Sequence, residues 1–442
     1  MYDARDSESG FERYLHRLAR CTRAREESLG RTYPDLAPAD DLRQVVHCLR
    51  HDFDLVPGLA DLVLSSRREL VSLSDQQYHI LDYALHEANP RVLCPGGAGT
   101  GKTLLAVEAA RRIASRGDRV LVLCFNRVLA DHLKSQLLPN PRLTVDSLHR
   151  FMRSVVEKGG MMGQLEALRE AKPDDELYKS DFPCLFEEAV LNVLDDLEPF
   201  DALVIDEGQD ILFSPVIDSL GAILEGGLDG GRWLIFYDPE LQAEVYGRMD
   251  ATVLGTLSEY RPALLPLKEN FRNPRGIVAE MCAVTGIEPP TCRRELHSRV
   301  EYLTFDAPAD EGARLRSLLV DLLRERVSPG AITILAGSRR EDCCVSRHSP
   351  EVGKHIVFVS SPQVPPLSDD VISACTVPSF KGLENDVIVL TDLGAPFGGS
   401  TWQRSVVYVG MTRARTKVYA IVPKGFVERR FAPASSAEGG HA

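Results

Sequence analysis

Four runs of near-continuous Val, Ile and Leu constrain this chain most: "RVLCP" from Arg91, "RVLVLCF" from Arg119, "DALVIDE" from Asp201 and "RWLIFYD" from Arg232. A strand with one face in water alternates apolar and polar residues. A run that is apolar at nearly every position needs cover on both faces, and parallel sheets obtain it from the helices that connect their strands. The segments between these runs are amphipathic and helix-like. A second group follows later in the chain: "AITILAG", "DVISACT", "DVIVLTDL" and "KVYAIVP". The expected fold class is α/β, with two parallel-sheet domains in tandem over residues 73–270 and 271–430. Residues 1–72 lack strand alternation, and "FERYLHRLARCTRAREESL" and "DLRQVVHCLRHDF" read as helices with polar faces. The polar stretches 152–198 and 338–371 are expected as insertions, the first of them helical. The low-complexity tail 431–442 is expected to be disordered.

Between the first strand and the helix after it stands "GGAGTGKT", residues Gly96, Gly97, Ala98, Gly99, Thr100, Gly101, Lys102 and Thr103. A bend needs one or two glycines, not four. The spacing of Gly96, Gly101, Lys102 and Thr103 fits the phosphate-loop pattern, in which backbone N–H groups curl around phosphate oxygens. In that pattern Lys102 reaches the β/γ-phosphates and Thr103 ligates Mg²⁺, while the following helix turns its positive end toward the anion. Nucleoside triphosphate binding is the expectation.

The third run ends in Asp206-Glu207, followed by Gln209-Asp210. A carboxylate pair at the C-terminal end of a strand, downstream of a phosphate loop, suits the handling of Mg²⁺ and an attacking water. Asp206 is expected to hold the metal, and Glu207 to orient and deprotonate the water.

Composition limits the rest. A hydrophobic fraction of 44% and a charged fraction of 26% are those of an ordinary globular protein. No apolar run approaches the roughly 20 residues of a membrane span, and "MYDARDSESG" is acidic and unlike a signal or transit peptide. The expectation is no membrane partner and a cytoplasmic protein. Ten cysteines without C-x-x-C spacing read as reduced core thiols. A net charge of −13 argues against a protein held on nucleic acid by an overall basic surface, but leaves room for a local groove.

From Leu73 to Pro423 the chain resembles the superfamily 1 helicases of the UvrD/Rep type, and most closely the helicase part of nuclease-related-domain helicases. "LSDQQ" resembles the Q motif, "VLCFNRVLADHL" motif Ia, "SLHRF" motif Ib and "DEGQD" motif II. "IFYDPELQAEVY" is similar to motif III, "LKENFRN" to motif IV, "TVPSFKGLENDVIVL" to motif V and "VVYVGMTRART" to motif VI. The motifs fall in the family's order. The resemblance implies two RecA-like domains and an ATP- and Mg²⁺-dependent translocase or helicase on single-stranded DNA, moving 3′ to 5′, in DNA repair or anti-phage defence. It places Gln77 against adenine, Glu384 at the nucleotide, Gln242 as the γ-phosphate sensor, and Arg272 and Arg413 as arginines reaching across the cleft. It assigns strand contacts to Phe125, Asn126, Arg127, Ser147, His149, Thr376 and Ser379, with Tyr246 as a stacking surface. Only about a hundred residues separate Arg272 from Thr376, where larger relatives carry an accessory domain, so translocation is expected rather than processive unwinding. The competing expectation is a nucleotide-switched DNA-binding regulatory or sensor subunit that controls a separate nuclease or defence-complex partner through residues 1–72.

Overall fold

The chain divides into two units, Met1–Pro57 and Gly58–Ala442. The structure, a computed structural model, describes residues 59–63, 75–137, 139–173, 176–239, 250–294, 298–347, 356–358, 370–393 and 400–426. Of the N-terminal segment 1–72 only residues 59–63 fall among these, and they are helical; both helices expected there lie outside the described residues. The rest of that segment before residue 59, like the tail 431–442, lies outside the described residues.

The first sheet has six strands: β1 (Arg91–Pro95), β2 (Val120–Cys124), β3 (Leu143–Ser147), β4 (Ala202–Ile205), β5 (Arg232–Tyr237) and β6 (Ala263–Leu264). Their order is β3-β2-β4-β5-β1-β6, and every pairing is parallel. All five residues of β2 and all four of β4 are buried, as strands covered on both sides require. The two-residue period of a strand then sorts the side chains. Val120, Val122, Val204, Leu234 and Phe236 join one apolar cluster, together with Leu105, Ala109 and Ile113 of the helix Lys102–Ser115. Leu121, Leu123, Leu203, Trp233 and Ile235 join another, against the helices Leu148–Lys158 and Phe182–Val193.

After a short parallel pair, β7 (Glu269–Asn270) with β8 (Thr291–Cys292), the chain builds a second sheet. Its strands are β9 (Val300–Phe305), β10 (Ile332–Ala336), β11 (Ile356–Phe358), β12 (Ile372–Thr376), β13 (Asn385–Thr391) and β14 (Ala414–Pro423), in the order β11-β12-β10-β13-β14-β9 and again all parallel. One face, with Ile332, Ile334, Val387 and Val389, packs on the helix Glu311–Arg324. The other face, with Leu335, Ile388 and Leu390, belongs to the same apolar cluster as the helix Lys102–Ser115. A continuous core therefore runs from one sheet to the other. Because strands of a parallel sheet all end on one side, each sheet presents its connecting loops, where open α/β sheets bind ligands, at a single edge. Among the described residues no helix is long and apolar enough to cross a membrane.

Candidate functional site

The loop after β1 is shaped by two left-handed glycines, Gly99 at φ 77° and Gly101 at φ 91°. Side chains are disfavoured there by the backbone itself and also by neighbours. A Cβ on Gly99 would stand 2.7 Å from the Asn270 amide nitrogen, and one on Gly101 would collide with the Gln77 amide. Gln77 donates from Nε2 to the Thr100 carbonyl at 3.0 Å. Lys102, only 5% exposed, curls back into the loop and donates to the carbonyls of Gly96 (2.7 Å) and Gly97 (2.9 Å). Its ammonium also lies 3.8 Å from Asp238.

At the end of β4, Asp206 is fully buried, and neither of its carboxylate oxygens has a well-formed hydrogen bond. Burial and the neighbouring Glu207 charge push its carboxyl up, while the Thr103 hydroxyl and the Lys102 ammonium oppose them. Two orphaned carboxylate oxygens beside a threonine hydroxyl form an oxygen-only donor set, the kind that suits a hard divalent cation. Glu207 has a left-handed backbone, φ 55°, rare for a side-chain-bearing residue. Burial raises its carboxyl, but the charges of Lys102, Lys381 and Arg413 together with the Gln209 amide outweigh burial and hold it below the usual range. Gln209 is oriented from both ends: its Nε2 donates to Glu207 Oε2 and its Oε1 accepts from the Asp238 N–H at 2.9 Å.

The second sheet and its approaches complete the cradle. Ala98 to Thr103 and Glu207 line one small recess together with Arg272 and Arg413. Arg413 ends the helix Thr401–Thr412, whose start is fixed by a capping box between Ser400 and Gln403. Its guanidinium donates to the carbonyls of Val409 (3.0 Å) and Leu383 (3.3 Å) and to the Thr412 hydroxyl (3.1 Å). Burial and the nearby Arg272 lower its pKa to about 10, so it stays charged at neutral pH. Arg272 pairs with Glu384. Burial raises the Glu384 carboxyl, but Arg272, Arg415 and Arg413 hold it down.

Several contacts that build this site were not anticipated. Asn270 donates to the Ala98 carbonyl (2.9 Å) and accepts from the N–H groups of Arg272 (3.0 Å) and Asn273 (2.9 Å), tying the glycine-rich loop to the arginine segment. The signal was the N-x-x-N-P spacing of "NFRNP", in which an Asn side chain closes its own turn. The Tyr408 hydroxyl accepts from the Ala98 N–H at 3.2 Å. Lys381 binds both oxygens of Asp210, at 2.8 and 2.6 Å, with both side chains 1% exposed. Nothing in the sequence spacing announces a pair separated by 171 positions. Asn270→Ala is expected to cost about 1–3 kcal/mol in denaturant unfolding, because the Ala98 carbonyl and two turn N–H groups lose a buried partner. An unchanged midpoint would show that the turn stands without it.

The residues expected to touch a strand fall into groups. Asn126 caps the helix Arg127–Gln136 through the Val128 N–H (2.8 Å) and donates from Nδ2 to the Ser379 carbonyl (2.7 Å). Thr376 and Ser379 share a hydroxyl–hydroxyl bond of 2.8 Å, and Ser379 and Arg127 are exposed. Phe125 packs edge-on against His149 with ring centroids 4.9 Å apart, and His149 also meets Tyr178 at 4.8 Å. Ser147 pairs with Cys124 across the ends of β2 and β3, is fully buried, and does not reach the surface. Gln242 and Tyr246 lie outside the described residues. Compared with known proteins, the chain matches no family model and no curated protein sequence.

Proposed function

We propose that this protein is an ATP-dependent translocase of the UvrD-like superfamily 1 type, with two RecA-like lobes acting on single-stranded DNA with 3′ to 5′ polarity. The observation that carries the reading is the recess lined by Lys102, Thr103 and Glu207 from loops of the first sheet, by Arg272 from the turn after β7 and by Arg413 from the second sheet's last helix–strand junction. In this reading the loop Gly96–Thr103 wraps the phosphates and Lys102 leaves the Gly96 and Gly97 carbonyls to meet them. Asp206 and Thr103 would hold Mg²⁺, which when bound neutralises charge on the β- and γ-phosphate oxygens. Glu207, kept ionised by its cationic neighbours, takes the proton of the attacking water. Arg272 and Arg413 stabilise the charge that develops on the transferred phosphoryl group. Catalytic groups drawn from both sheets make hydrolysis depend on how the sheets are disposed, and a strand held by Asn126, Thr376 and Ser379 would feel that change.

The test is ATP hydrolysis measured side by side with single-stranded DNA, duplex DNA and RNA. Single-stranded DNA is expected to stimulate turnover, and Lys102→Ala to abolish it. Unstimulated turnover would sink the motor and favour the nucleotide-switched regulator. Strand displacement, where it occurs, should require a 3′ overhang; equal activity from a 5′ overhang would refute the assigned polarity.

A further inference from the structure

Beside the phosphate recess lies a larger cavity of about 520 Å³, which shares Gly99, Gly101, Thr103 and Arg272 with it. Small-ligand sites run about 300–1,000 Å³, so the cavity has room for a nucleoside extending from the cradle. Leu104, Val107, Leu133, Phe271 and Leu383 give it apolar walls suited to the faces of a base. Arg272 lines both spaces and is paired with Glu384, so Glu384 stands one side chain beyond the phosphates, at the depth where a sugar follows.

His132 enters the same cavity from the helix Arg127–Gln136. The charged groups acting on its ring are Glu384 and Arg415 from the second sheet. Those two are committed elsewhere: Glu384 to Arg272, and Arg415 to Asp386 at 3.1 Å. The His132 ring makes no hydrogen bond to any described residue. Burial lowers its pKa, the Glu384 charge raises it and Arg415 lowers it, leaving a neutral imidazole at pH 7. A neutral imidazole offers one donor and one acceptor, whereas the Glu384 carboxylate only accepts. Together they match a sugar hydroxyl, which both gives and takes.

We propose that His132 hydrogen-bonds a ribose hydroxyl of the bound nucleotide, across from Glu384, and thereby favours nucleotides that carry that hydroxyl over analogues that lack it. This rests on the nucleotide-binding reading above and adds a specificity residue to it.

The experiment is equilibrium binding of ATP, 2′-deoxy-ATP, 3′-deoxy-ATP and inorganic tripolyphosphate to the full chain, as wild type, His132→Ala and His132→Phe. Wild type should bind ATP about 3- to 10-fold tighter than at least one deoxy analogue, the worth of one neutral hydrogen bond. Both variants should lower that ratio several-fold, what remains of it being the Glu384 contact with the same hydroxyl, and leave tripolyphosphate affinity unchanged. The phenylalanine variant keeps the ring volume without either nitrogen, and decides the matter if the alanine variant melts early. A ratio near one in the wild type, or an unchanged ratio in a folded variant, overturns the assignment of His132. If the wild type binds neither ATP nor tripolyphosphate, the nucleotide site itself fails.

Discussion

Glu207→Gln should abolish ATP hydrolysis, lowering turnover by about 10²–10⁴-fold, the usual contribution of a positioned general base, while nucleotide affinity stays within a few-fold. The substitution changes little in shape. Gln209 donates its Nε2 to Glu207 Oε2, and the carbonyl oxygen of a glutamine can accept the same bond. What the amide lacks is a site for the proton of the attacking water. The setting sharpens the expectation, because Lys102, Lys381 and Arg413 all act to keep this buried carboxylate charged. Single-turnover hydrolysis and binding of a fluorescent nucleotide, measured on the same preparation, separate the two effects. Hydrolysis at the wild-type rate would remove Glu207 from the chemistry and leave the carboxylate a structural partner of those cations.

Breaking the Lys381–Asp210 pair should produce the largest loss of stability. The two side chains lie in segments attached to different sheets, yet they meet in a fully buried, two-oxygen ion pair. Deleting one member strands the other charge out of water, so Lys381→Ala or Asp210→Ala should cost about 3–5 kcal/mol. Replacing both with apolar residues, Lys381→Met with Asp210→Leu, should recover most of that, since neither charge then remains to be desolvated. Urea unfolding of the two single variants and the double variant forms the cycle that decides it. A loss under about 1 kcal/mol in the single variants, the range of exposed pairs, would mean that water reaches the pair.

Much of the fold could be read before any coordinates. The eight apolar runs correspond to β1, β2, β4, β5, β10, β12, β13 and β14. The strands that escaped the reading of the two sheets are β3, β6, β9 and β11, and all four are sheet edges. Edge strands pair on one side only and stay partly in water, so "LTVDS" and "VEYLTF" carry polar residues and "AL" and "IVF" are short. Central strands, enclosed on both faces and both edges, have no such freedom. The same contrast holds in the site. Gly99, Gly101, Lys102 and Thr103 are legible because the tight turn they build is local, its geometry set by neighbours in the chain. Asp206 and Glu207 are legible because they end a buried strand.

The sequence alone therefore determined the parallel sheets, the glycine-rich loop and the carboxylate pair, each a product of short-range backbone and burial requirements. Only the tertiary structure decided that Arg272 and Arg413 share a recess with Lys102 and Glu207, that Asn270 ties the loop to the arginine segment, and that Lys381 finds Asp210. It also decided that Ser147 is buried and that His132 faces a cavity. The contacts among them join residues far apart in the chain through helices and loops that lie between the two sheets, and that packing leaves no periodic trace along the sequence.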